Sequence, residues 1–233
     1  MSEPAQIDAS AGRQPASEHW LDRADARLRG VLHGDAQERG LRYAAGLALV
    51  CCLSYGLCMG SYAGRPGQMM VSAVKVPLLL GVTTALTLPP LLVVGTLLGL
   101  ASKLRRLLVA IAAAQAAVGL TLAAVAPYTL LWYTTIAGYP IAILFNGAMF
   151  AVATVAGHTA LRRATRPLVA EAPNVRWLVR LWVVLYAFVG VQMGWVLRPF
   201  IGNPGAPVQF FRESAWSNAY VEVWRIMRQV VSG

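Results

Sequence analysis

Few residues in this sequence can do more than pack, and the conspicuous ones gather in three places. Lys75 opens the run "KVPLLLGVTTALTLPPLLVVGTLLGL", and no aspartate or glutamate occurs between Arg39 and Ala170. An amine so isolated can bind lipid phosphate, donate to backbone carbonyls, or reach a distant acid such as Glu213. Farther along, Pro89 and Pro90 remove two backbone donors and press on the carbonyls of Ala85 and Leu86. In hydrocarbon a released carbonyl needs a new partner, and Thr83, Thr84 and Thr87 stand about one turn away, placed to support a kink. Opened at that point, the helix would expose backbone to an ion or solute, as in transporters. Kinked, it would shape packing alone. The third group is Gln192, Trp195 and Arg198, followed by Pro199, Phe200, Gly202, Phe210, Phe211, Arg212 and Glu213. Prolines, aromatics and opposite charges in a nonhelical stretch predict a folded cap with an Arg198–Glu213 ion pair. Such a cap is a docking surface or the roof of a ligand site.

The remaining polar residues predict less. Gln115 and Asn146 suit interhelical hydrogen bonds, each contributing about 0.5–2 kcal/mol. His158 and Arg180 suit positions from which they reach the interface. Cys51, Cys52 and Cys58 have neither CxxC spacing nor a nearby histidine, so the expectation is packing, with no metal and no cofactor. No nucleophile stands beside a base, so no catalytic residue is assigned.

The elements that position these groups follow from composition. Hydrophobic residues make up 57% of the chain and charged residues 13%, about half the charged share of a soluble domain. Five apolar runs, near 43–62, 76–100, 107–126, 138–160 and 177–197, each match the ~20 residues that cross a bilayer as a helix. Pro77 suits the first turn of a helix, which favours a second span opening at Val76 with Lys75 at the interface. A span opening near Met69 would bury Lys75 instead. Gly56, Gly60, Ala112, Ala116 and Gly119 allow close helix approach.

The net charge of +10 would suggest nucleic acid in a soluble protein, but the basic residues sit in short clusters between apolar runs. That is the pattern of loops orienting spans, and it excludes a nucleic-acid groove. Arg23, Arg27, Arg29, Arg39 and Arg42 precede span one, Lys103, Arg105 and Arg106 follow span two, and Arg162, Arg163, Arg166 and Arg176 follow span four, while the other connections are poor in charge. Positive loops remain cytoplasmic, which places the N-terminus inside and the C-terminus outside. The connection "PYTLLWYTTIAGYP" then faces outward as an aromatic belt. Residues 1–42 read as a polar disordered tail with an interfacial helix. Trp216, Tyr220, Val223, Met227 and Val230 have the spacing of an amphipathic helix.

"KVPLLL" together with "QMGWVLRPFIGNPGAPVQFFRE" resembles a family of uncharacterised bacterial multispanning inner-membrane proteins. Their signatures are a lysine-valine-proline start to one span and a tryptophan-x-x-arginine-proline-phenylalanine exit from a later one. The resemblance covers roughly residues 50–215 and implies a bacterial inner-membrane location; it carries no activity. The expectation is therefore an all-α integral membrane protein of five spans, with a proline-broken second span and an outward cap at 198–233. The function expected is that of a nonenzymatic scaffold, assembly or accessory subunit. Its partners would be the lipid bilayer and a membrane protein or a second copy. The alternative is a small channel or transporter subunit with a pathway beside Pro89–Pro90, and an embedded enzyme comes last.

Overall fold

Backbone surrounded by hydrocarbon must bond to itself, and long acid-free apolar runs therefore become helices. The computed structural model describes residues 35–135, 138–202, 205 and 207–211, and the regular structure among them is helical. Helix α1 spans Asp35–Gly60 and passes through a short 3-10 turn, Ser61–Ala63; α2 spans Pro66–Leu97. Then come α3 over Ala101–Thr135, α4 over Tyr139–Glu171 and α5 over Asn174–Val196. All five are long and apolar enough to cross a bilayer, the architecture of a multi-pass membrane protein. The chain divides after Gly40, and the bundle described below belongs to the part from Leu41 onward. The polar tail, most of the expected surface helix, the helix around Trp216 and Glu213 itself lie outside the described residues.

Several helices outrun the expected apolar runs, α4 by eleven residues to Glu171, and at two boundaries the difference changes the reading. Pro66, not Pro77, occupies the first turn of α2, after Arg65 in extended conformation. The span therefore opens ahead of Val76, and Pro77 lies inside it. At the other junction α3 continues through Tyr128, Trp132 and Tyr133 to Thr135. The expected aromatic loop is helix, because interfacial aromatics are compatible with a helix that outruns the hydrocarbon.

Nor is α2 divided at its centre. It is continuous across Pro89 and Pro90, and both rings lie on its exposed face. The threonine hydroxyls do not go to the released carbonyls: Thr84 donates to Leu80 O at 2.7 Å and Thr87 to Thr83 O at 2.9 Å. The expected proline break is thus corrected to a proline-bearing turn within an intact helix.

Helix α1 lies tightly on α2 where both contribute small surfaces. A Cβ on Gly56 would fall 2.5 Å from Ser72 O and 2.6 Å from Ala73 Cα, and one on Gly60 would fall 2.7 Å from Met69 Cα. Backbone cannot yield as a side-chain tip can, so these glycines set the approach. Gly119 brings α3 to α1, where a Cβ would meet Ala48 O at 3.0 Å. Nearby Ala116 is buried and Ala112 half-buried. Helices α3 and α4 pack extensively, α2 and α5 less so, and α4 and α5 only sparsely.

The apolar interior has two centres. One gathers Leu107, Ile111, Leu161, Leu168, Leu178 and Trp182 near the α2–α3 and α4–α5 connections. The other gathers Cys52, Tyr55, Met59, Val76, Leu122 and Ile201 toward the cap.

Candidate functional site

Three polar residues of α2, Gln68, Ser72 and Lys75, recur at the spacing that keeps side chains on one helix face. Because α2 opens at Pro66, all three are helical, and all are at most 1% exposed. The interfacial placement expected for Lys75 is therefore corrected: the residue is wholly buried. A buried polar group needs partners, and here they come from the chain that leaves α5. Lys75 Nζ donates to Pro199 O at 2.7 Å and to Gln209 O at 3.4 Å, and stands 5.1 Å from the centre of the Phe210 ring. Gln68 Nε2 donates to Phe200 O at 3.1 Å, and the Ser72 hydroxyl donates to the same oxygen. Among the described residues no carboxylate forms an ion pair with Lys75.

The strap is shaped to receive these donors. The helix stops at Val196, and the Arg198–Pro199 peptide is cis. At Gly202 an added Cβ would meet Gln68 Cγ at 2.7 Å, so the absence of a side chain lets the strap close on α2. Tyr139, at the start of α4, donates to Ile201 O at 3.1 Å from the opposite side. Arg198 stacks its guanidinium 3.2 Å from the centre of the Trp195 ring, a cation–π contact. Gln192 is half-buried one turn before Trp195 on α5.

Below the clasp a second polar knot joins three helices. Tyr55 on α1 donates to Asn146 Oδ1 at 2.8 Å, and Asn146 Nδ2 donates to the Tyr133 hydroxyl at 2.7 Å. Tyr133 in turn donates to Met59 O at 3.2 Å. A third joins α2, α3 and α5: Gln115 Nε2 donates to Thr84 Oγ1 at 3.1 Å, and Tyr186 donates to Gln115 Oε1 at 3.3 Å. Both amides therefore bridge helices, as interhelical hydrogen bonds require. His158 and Arg180 are exposed.

The structure thus brings Lys75 together with the strap after Arg198, through the main-chain carbonyls that the sequence offered as one of three kinds of partner. Pro89 and Pro90 lie apart, on the outer face of α2. Sequence reasoning missed Gln68 and Ser72, because a span opening at Val76 left them in a loop. Their spacing with Lys75 was the available signal. Chemically the clasp offers hydrogen-bond donors already committed to main-chain oxygens, and no group of three or more histidine, cysteine or acidic residues is placed to hold a metal among the described residues. Comparison with protein-family models, curated proteins and solved structures gives no match.

Proposed function

We propose that the chain is a nonenzymatic component of a bacterial cytoplasmic membrane, an assembly, scaffold or accessory subunit that presents its cap to a membrane-protein partner or a second copy. The clasp is the observation that carries this reading. Lys75 is the most distinctive polar residue of the spans, and its donors go to Pro199 and Gln209 carbonyls, which fixes a nonhelical strap to the bundle. A rigid strap of Pro, Phe and Gly suits display to another protein, since ordering it on binding costs little further entropy. Phe211, exposed at its end, offers such a partner an apolar anchor.

Stoichiometric co-purification of a partner, lost when residues 198–233 are removed and kept in a Lys103→Ala control, is the expected result. Ion or solute flux in liposomes that Lys75→Ala or Pro89→Ala abolishes without unfolding would overturn the reading in favour of a transport subunit. That second reading has less support, because Pro89 and Pro90 face outward from an unbroken helix.

The arginine distribution supports an orientation with the Lys103–Arg106 end cytoplasmic and the cap end outside. In a cysteine-free background, Thr135→Cys should react with an impermeant maleimide on intact cells and Ser102→Cys should not. The reverse pattern would invert the topology.

A further inference from the structure

Between the two apolar centres, where α4 and α5 diverge, the bundle has a lateral groove of about 450 Å³. Leu79, Leu80 and Thr83 of α2 and Gln115 of α3 line its floor, and α4 and α5 form its lips, with exposed Thr154, His158, Ala187 and Val191 at the rim. The size is that of a small-molecule site, and the opening lies among exposed residues of α4 and α5, two of the helices apolar and long enough to cross a bilayer.

Its walls contain two polar groups with nothing to bond. Thr83 Oγ1 and Trp182 Nε1 are buried without a hydrogen-bond partner, on residues 1% and 5% exposed. Thr83 is singular among the threonines of the described helices. Thr84, Thr87, Thr96, Thr121 and Thr129, like the others, return their hydroxyls to a carbonyl about one turn back. Such back-bonding is the default for threonine in a helix. Thr83 alone forgoes it, at the wall of the groove, and Trp182 presents a group that can only donate. Unsatisfied buried donors at a cavity mark a missing acceptor.

We infer that the groove binds a membrane-dissolved amphiphile whose hydrocarbon tail ends in carbonyl oxygens. The tail lies against Leu79, Leu80, Leu161 and Val183, and the oxygens accept from Thr83 and Trp182 after small side-chain rotations. The apolar lining and lateral mouth admit a ligand from the bilayer, while the short groove is too small for a partner's whole transmembrane helix. Two membrane sources share this chemistry, the ester carbonyls of a glycerophospholipid and the ring carbonyls of an isoprenoid quinone.

The test uses the full chain in nanodiscs with three photoactivatable probes: a diazirine ester phospholipid, its diether analogue without carbonyls, and a benzoquinone with a diazirine tail. Wild type should label at α4 and α5 residues of the groove with the ester or quinone probe and not with the diether. Competition between those two probes identifies the source. Thr83→Val and Trp182→Phe should each reduce labelling by about tenfold, the scale of one lost buried hydrogen bond. Ala187→Phe, filling the mouth from an exposed position, should abolish it and guards against misfolding of the buried variants. Absence of groove labelling by both the ester and the quinone probe, diether labelling as strong as that of the better of those two, or labelling unaffected by all three substitutions, would overturn the inference.

Discussion

The two ends of this bundle are closed by opposite means. At the cap end, donors buried within the helices reach main-chain oxygens of a strap: Gln68, Ser72 and Lys75 hold Pro199, Phe200 and Gln209. At the other end the interior is apolar, and polar closure occurs outside it. Lys103 and Arg106 of α3 grip Glu171 at the foot of α4 at 2.6 and 2.8 Å, with all three side chains partly exposed. The difference teaches where polar contacts carry weight. A buried donor lost leaves its acceptor without water to replace it, whereas an exposed pair exchanges one hydrated arrangement for another. The exposed basic residues Lys103 and Arg106 therefore contribute little to stability, and the buried Lys75 contributes much.

Substitutions should reproduce that asymmetry. Lys75→Ala strands the Pro199 and Gln209 carbonyls and leaves a void, so a loss of about 3–4 kcal/mol is expected from the two costs together. Thermal unfolding in detergent measures it, and protease cleavage in the strap should accelerate in parallel. A Lys75→Ala protein as stable as Lys103→Ala would break the comparison. Gly56→Ala drives a methyl into Ser72 and Ala73 backbone, and separating α1 from α2 should cost about 1–3 kcal/mol by the same assay. Tyr55→Phe removes one donor from Asn146 and should cost about 1 kcal/mol. Glu171→Gln should give the smallest change, and its effect should vanish in high salt while that of Lys75→Ala persists. A salt-dependent loss at Lys75 would show the clasp to be open to solvent.

The number of spans was legible because apolar runs free of acids state it directly: only a helix can carry such a run through hydrocarbon. The end of α5 was legible too, since Pro199, Pro204 and Pro207 forbid its continuation. Where α2 begins was not. Pro66 and Pro77 both suit a first turn, and the choice between them is made by tertiary contacts with α1 and the strap. From that one ambiguity followed the misplacement of Lys75 and the loss of Gln68 and Ser72 from view. The groove was illegible for another reason. It arises from two helices diverging, and nothing in the local pattern of α4 or α5 encodes their angle. The absent back-bond of Thr83 is likewise a property of a rotamer, invisible in a sequence where Thr83, Thr84 and Thr87 look alike.

One consequence of the clasp concerns the order of synthesis. Lys75 and its acceptor Pro199 are 124 positions apart, and a ribosome delivers the lysine first. While α3, α4 and α5 are still being made, the amine must shelter in water or among headgroups, and α2 has no reason to seat fully. Arrival of the strap is what permits the final depth. A piece translated after all five helices thus latches the second helix in place, and a chain arrested before residue 199 should display an accessible lysine to an amine-reactive reagent that the finished protein conceals.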